Sequence, residues 1–483
     1  MERIHLIMRI TETNPGTRTP AKSGFLRRFI GDKAFYKMVL AIAVPIMVQN
    51  GITNFVGLLD NIMIGRVGTE PMSGVAIVNQ LIFVYNLCLF GGVSGAGIFT
   101  AQYFGQKNQE GIRQTVRFKI WIVTAITLFT TVLFLLAGDQ LIRLYLQGDG
   151  TAESAAATLH YGKQYLWIML GGLLPFMMVQ VYSSTLRECG QTMLPMKAGI
   201  VAVCINLALN YILIYGKFGA PALGVQGAAI ATVVSRYAEA AIILIYTHRH
   251  KELNPFVENL YSTLKVPGNL AQKILVKGMP LLLNETLWAA GMAMLSQCYS
   301  VRGLNVIAAQ NISNTIGNVF NIVFIALGDS VAIIVGQLLG AGRMAEARDQ
   351  DNKLIAFSVF CCTCVALVML VLAPYFPMLY NTGADVRELA KYFIMITAVF
   401  MPQNAFLHAS YFTLRSGGKT IVTFLFDSVF IWCVSVTIAF TLSRFTALPV
   451  TSVFILVQVG DIIKCIIGFV LVKKGVWLQN IVA

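Results

Sequence analysis

Long apolar runs separated by short polar breaks set the rhythm of this chain. Runs of roughly 20 residues or more, enough to cross a bilayer as a helix, recur at 36–64, 74–101, 119–137, 163–184, 194–215, 227–247, 274–300, 306–338, 354–376, 391–412, 421–442 and 449–472. The pattern predicts an all-α membrane protein with twelve transmembrane helices. On the first of them, at about 100° per residue, Gln49, Thr53, Gly57 and Asp60 share one side, and Asn50, Asn54 and Asn61 the adjoining side. Ile52, Phe55, Val56, Leu58, Leu59, Ile62 and Met63 occupy the rest of the circumference. Asp60 is therefore expected to point inward. An ionisable group within a membrane is costly unless paired, and persists chiefly where it lines a pathway or holds an ion. A structural ion pair, or a side chain reaching the surface beside Arg66, is the alternative. Pro45 interrupts the hydrogen-bond ladder of the same helix and predicts a bend in it.

The pattern repeats. A shift of 235 positions places Pro45 on Pro280, Gly68 on Gly303, Asn79 on Asn314, Gln102 on Gln337, Gly105 on Gly340 and Arg113 on Arg348. With a small change of offset, "TLRECGQT" (185–192) meets "TLRSGGKT" (413–420). Six spans have been duplicated, and an even number per repeat makes the two copies parallel, related by an axis along the membrane normal. The expected organisation is an N-terminal tail (1–35), a six-helix lobe (36–247), a linker (248–273), a second six-helix lobe (274–472) and a C-terminal tail (473–483). Two pseudo-symmetric lobes facing one another suit a carrier that rocks around a central site.

Composition agrees with the membrane reading: 57% of the 483 residues are hydrophobic and 12% charged. The net charge of +14 does not require nucleic acid, because of where the basic residues fall. With the N-terminus inside, inner segments hold 26 Lys and Arg and outer segments eight, which is the positive-inside rule and sets both termini in the cytoplasm of a cell membrane protein. The apolar run after the basic N-terminus is too long for a secretory signal. Nine cysteines, including Cys361, Cys362 and Cys364 on the ninth span, are not joined by histidines at ligand spacing and read as small core residues. "GGKT" at 417–420 lacks the first glycine of a phosphate-binding loop, since position 413 is Thr. No cofactor is expected, and no enzyme: the clustered His, Asp or Cys of a hydrolytic centre are missing from the pattern.

Four stretches resemble the MATE (multidrug and toxic compound extrusion) family. They are "VPIMVQNGITNFVGLLDNIMIGRVG", "QYFGQKN", "LNYILIYGKFGAPALGVQGAAIAT" and "VGQLLGAGRMAEA", and the likeness spans about residues 36–475. The resemblance implies a cation-coupled exporter. In that family a first-helix aspartate followed by x-x-M-x-G is a cation or proton site, and Asp60 matches it; Pro45 matches the family's bending proline. The partner positions on the fifth and sixth helices are Asn206, Asn210 and Thr232. Asn206 and Asn210, four apart, share a helix face and offer neutral oxygens; their alternative role is interhelical hydrogen bonding alone. Glu285 matches a seventh-helix glutamate that in one branch pairs with a tenth-helix aspartate, but here Asn404 stands at that tenth-helix position. Glu285 is then either a contact for the exported compound or structural. The counterpart of Asp60 in the repeat is Leu295, so the lobes are expected to be chemically unequal.

Asp329 is expected to line the cleft. Arg236 and Glu239, three apart on the sixth helix, are expected to pair, and Asp427, Asp461 and Lys464 to reach the membrane surface from near span ends. The expected function is a multidrug efflux antiporter that exchanges bulky cationic or amphipathic compounds for H⁺ or Na⁺, working as a monomer among membrane lipids. The competing reading is a flippase for a lipid-linked or polysaccharide precursor, which should line its interior with Lys and Arg; the spans carry few.

Overall fold

The computed structural model describes residues 28–146, 152–380 and 382–483, apart from the side chains of Val56, Leu58, Asn61 and Leu304. Most of the expected N-terminal tail, and the placing of Asn61 on the polar stripe, lie outside the described residues. Within them, twelve long helices follow one another: α1 (Lys33–Gly65), α2 (Thr69–Gly105), α3 (Gln109–Leu144), α4 (Ala152–Glu188), α5 (Met193–Tyr215), α6 (Val225–Arg249), α7 (Gly268–Ser300), α8 (Leu304–Gly340), α9 (Met344–Leu372), α10 (Ala384–Ser416), α11 (Thr420–Phe445) and α12 (Val450–Lys474). No strand occurs among the described residues. Ten of the helices are long and apolar enough to cross a membrane. The two that fall short, α7 and α10, carry Asn284 and Glu285, and His408 and Arg415, which the bundle takes inside.

Packing divides the chain into two compact units. One comprises Val48–Thr100 and Gln109–Leu275; the other joins the described residues up to Met47 to Ala101–Asn108 and Val276–Ala483. The boundary inside α1 falls two residues after Pro45, which is buried within a helix that runs through it unbroken.

In the unit built on α1–α6, small residues let backbones touch, the usual solution where no hydrophobic effect drives helices together in lipid. A Cβ on Gly74 of α2 would come within 2.7 Å of Gly162 N on α4, and one on Gly227 of α6 within 2.6 Å of Leu213 O on α5. Ile64, Val75, Tyr165, Ile214 and Val225 share its core. The linker is not a loose strap: Phe256 and Leu260 are buried, Arg117 donates to the carbonyls of Asn259 and Leu260, and Trp121 Nε1 donates to Leu264 O. By contrast the outer face of α3 shows Leu136 and Phe129 at 77% and 69% exposure, as a lipid-facing surface should.

In the other unit, Ile42 and Ile46 of α1 pack with Val331, Val335, Leu414 and Trp477. Here the repeat closes on itself. A Cβ on Gly105 at the end of α2 would strike the Gln337 carbonyl of α8, and a Cβ on Gly340 at the end of α8 would strike the Gln102 carbonyl of α2. The positions related by the 235-residue shift thus meet reciprocally. Gln102 also donates to Ser416 O (2.9 Å) and Gln479 O (3.2 Å) and accepts from Ile481 N (2.8 Å). The C-terminal segment, with Trp477 fully buried, is therefore part of the packed structure. α11 is wound as π-helix over Leu425–Val429 and Ile431–Val436, wide turns that often mark functional segments. It lies close on α7, where Gly291 leaves room for Ile431 and Trp432 Nε1 donates to Leu287 O (2.9 Å).

All nine cysteines are free. Cys189, Cys298 and Cys362 are buried as expected, whereas Cys204, Cys364 and Cys433 are exposed, a placement that costs a thiol little when the surrounding phase is apolar.

Candidate functional site

α1, α5 and α6 bring the expected residues together. Asp60 Oδ1 accepts a hydrogen bond from Asn210 Nδ2 at 2.6 Å. Asn210 Nδ2 also donates to Asn206 Oδ1 (3.1 Å), and Asn206 Nδ2 to Thr232 Oγ1 (3.3 Å), whose hydroxyl donates to Ala228 O. Asn206 and Asn210 meet because they are one turn apart on α5, and both are buried, at 5% and 1% exposure. Asn210 Oδ1 is buried without a hydrogen-bond partner among the described residues. One half-buried carboxylate, two amide oxygens and a hydroxyl therefore line one spot, with a spare acceptor beside the acid. Such a hard-oxygen set can hold a monovalent cation, and the carboxyl group can instead hold a proton. Among the described residues no three His, Cys, Asp or Glu side chains are grouped to bind a metal.

Three neighbours of this site were not assigned to it from the sequence: Tyr165, Asn79 and Arg236. Tyr165 faces Asp60 and donates to Asn79 Oδ1 (3.3 Å). Arg236 acts on Asp60 electrostatically and lies over the Phe176 ring at 4.2 Å. The expected Arg236–Glu239 pair does not close into direct contact. Glu239 points toward Gly199 and feels Arg236 only at a distance, while the guanidinium turns to the aromatic face. The signal was available, since Arg236 follows Thr232 by four residues and so shares its face of α6. Of the α1 stripe, Gln49 accepts from Arg187 at 2.6 Å, while Thr53 and Asn54 remain exposed.

In the C-terminal half, Glu285 faces the charges of Arg415, Asp427 and Asp329. Asn404 lies on the same stripe of α10 as His408, Tyr411 and Arg415 but about 10 Å along the helix from Tyr411, and no hydrogen bond joins it to Glu285. Asp427, Asp461 and Lys464 correct the surface expectation. Lys464 Nζ lies 2.6 Å from Asp427 Oδ1, with side-chain exposures of 9% and 19%, and Asp461 accepts from Ser435 (3.2 Å). Their distance from the helix ends misled: Asp427 is seven residues into α11 and Lys464 ten from the end of antiparallel α12, so both lie roughly 10–15 Å deep. Basic groups inside the bundle are also more numerous than expected. Lys119 is fully buried and donates to Glu188 Oε2 (2.6 Å), Ser184 and Thr185.

Twelve helices in a duplicated set of six, with an acid caged by amides on the inside, define a polytopic membrane transporter. A family model described as MatE matches twice, at residues 45–212 and 280–441, beginning at Pro45 and at its repeat partner Pro280. The chain belongs to the MatE family, which comprises transporters and not enzymes. It is 26% identical over 453 residues to a probable multidrug resistance protein NorM of Thermotoga maritima, covering 92% of this chain and 94% of that one. It is also 26% identical over 420 residues to the probable multidrug resistance protein YoeA of Bacillus subtilis, covering 85% and 88%. The fold matches that of a mutant of the Vibrio cholerae MATE transporter VcmN, with a TM-score of 0.82 over 92% of this chain and 98% of that one at 17% identity.

Proposed function

We propose that this transporter expels bulky cationic or amphipathic compounds in exchange for H⁺ or Na⁺, with Asp60 as the group that couples the two movements. The observation that carries the reading is the linked set Asp60, Asn210, Asn206 and Thr232 with Asn210 Oδ1 left unpartnered. Relatives named multidrug resistance proteins support the substrate class. In this reading both termini are cytoplasmic, the protein works as a monomer in the cell membrane, and Pro45 is the weak point at which α1 bends when Asp60 changes charge. Glu285, facing Asp329, supplies acidic character for cationic compounds in the C-terminal half. The flippase reading is less well supported, because bases inside the bundle are already engaged: Lys119 by Glu188, Lys464 by Asp427 and Arg236 by Phe176.

Asp60→Asn keeps the shape and removes the titratable charge. It is expected to fold, reach the membrane and lose gradient-driven export by more than about tenfold, the equivalent of about 1.4 kcal/mol or more of lost coupling. Transport of a fluorescent cation in proteoliposomes, with Na⁺ and pH gradients imposed separately, measures this. Undiminished gradient-driven export by the variant overturns the assignment.

A further inference from the structure

The C-terminal half lacks counterparts of Asp60 and its partners, yet it keeps charged side chains deep in the bundle, and one of them is arranged like a ligand. Lys464 Nζ lies 2.6 Å from Asp427 Oδ1, acts on the Asp461 carboxylate electrostatically, and sits 5.3 Å from the centre of the Phe426 ring. A carboxylate in contact, a second one beyond contact distance and an aromatic face are what a bound cation seeks. The acids are themselves held in place: Asp427 Oδ2 accepts from Asn284 Nδ2 (3.2 Å), and Asp461 from Ser435. Asn284 is fixed in turn by Ser428, which donates to its Oδ1 at 2.7 Å. Gly468 of α12 allows the close approach, since a Cβ there would lie 3.1 Å from Phe426. The remaining charged groups nearby, Glu285, Arg415 and His408, face Asp427 from α7 and α10.

The repeat shows that this ammonium is particular to the second half. Aligning "ALGV" (222–225) with "ALPV" (447–450) places Arg236 on Asp461 and Glu239 on Lys464. The same two positions carry charge in both halves with the signs exchanged. We propose that Lys464 is a tethered cation: its ammonium permanently fills a cation site formed by Asp427 and Asp461 in the C-terminal half, which for that reason takes up no free monovalent ion. The inference goes beyond the coupling reading, since it holds whether or not Asp60 is the coupling group.

Lys464→Ala empties the site of its own cation and leaves the acids in place. The test follows thermal unfolding of the purified full-length protein in detergent as Na⁺, K⁺ or methylammonium replaces N-methyl-D-glucamine at constant ionic strength. The variant is expected to unfold several degrees below the parent protein and to regain most of that loss, saturably, with a small cation. The parent and the Asp427→Asn/Lys464→Ala double variant are expected to show no such added dependence. If the single variant cannot be produced while the double variant folds, the unpaired carboxylate is the cause and the proposal stands. A single variant indifferent to all three cations, or a double variant as damaged as the single one, overturns it. Because the readout is stability and not export, a failed Asp60→Asn experiment does not bear on it.

Discussion

In the N-terminal half, Asp60, Asn206, Asn210 and Thr232 hold one another through hydrogen bonds. At the repeat positions the C-terminal half has Leu295, Val434, Ile438 and Val457. Leu295 and Val457 are buried in one apolar cluster with Ile438 packed against it, and a Cβ on Gly460 would meet Ile438 Cδ1 at 3.1 Å and Val434 Cγ1 at 3.9 Å. One scaffold thus accommodates either a polar cage or a close-packed core at the same place. The physical trade is plain. A buried polar group left without a partner costs about 1–3 kcal/mol, whereas a Leu or Val there needs no partner and gains close packing with its neighbours. On the proposed reading only the half that handles an ion gains by keeping the cage, and the other half is free to become core.

The comparison can be broken most forcefully at Leu295. Leu295→Asp places an unpaired carboxylate in the apolar cluster and is expected to destabilise the protein by about 3–5 kcal/mol, seen as a large fall in the unfolding temperature. Adding Val434→Asn, Ile438→Asn and Val457→Thr should restore part of the loss by rebuilding the partners. Tolerance of Leu295→Asp by itself would show that the two positions do not correspond.

A smaller effect is expected at Asn210. Removing its amide leaves the Asp60 carboxylate without its 2.6 Å donor, at a cost of about 1–3 kcal/mol, or roughly five- to 150-fold in apparent coupling-ion affinity. Isotope-flux titration on Asn210→Ala measures it, with Ile438→Ala as the matched change in the other half. Ion dependence should move only in the first variant.

Glu285→Gln should lower export of cationic compounds a few-fold relative to neutral ones, an effect on the order of 1 kcal/mol, with ion dependence retained. Parallel efflux assays on charged and neutral dyes decide it; equal loss for both classes would return Glu285 to a structural role.

The smallest change is expected at the two repeat-related prolines. Pro45→Ala should fold normally and slow turnover on the order of two- to fivefold by restoring a straight, unbroken hydrogen-bond ladder. Pro280→Ala, on a helix where Leu295 stands at the repeat position of Asp60, should slow it less. Single-turnover export measured at matched protein levels would expose the reverse order, if that is what holds.

Much of this was legible in the sequence. Apolar runs mark the twelve helices, ten of them long and apolar enough to cross a membrane as they stand, because the bilayer demands about 20 apolar residues per crossing whatever the tertiary arrangement. Helical periodicity turned Asp60 inward, and the resemblance supplied Asn206, Asn210 and Thr232 as its neighbours. Both readings depend on spacing along one helix or on a matched motif, and spacing survives folding. What failed depended on the neighbour across the gap. Arg236 had a near acid three residues away and chose Phe176 on another helix. Lys464 and Asp427 each looked close enough to a span end to reach water, and their depth became a shared one only when antiparallel α11 and α12 were laid side by side.

The sequence by itself determined the number of helices, the duplication and the polar stripe on α1, because chain-local geometry and the solvent alone decide them. Tertiary structure decided which charges neutralise one another, that the C-terminal segment is bonded to Gln102, and that Gly105 closes on the Gln337 carbonyl while Gly340 closes on that of Gln102. Those are contacts between residues tens to hundreds of positions apart. In an apolar interior a charge or a bare carbonyl takes whichever partner packing brings within about 3 Å, and no pattern along one helix records that choice.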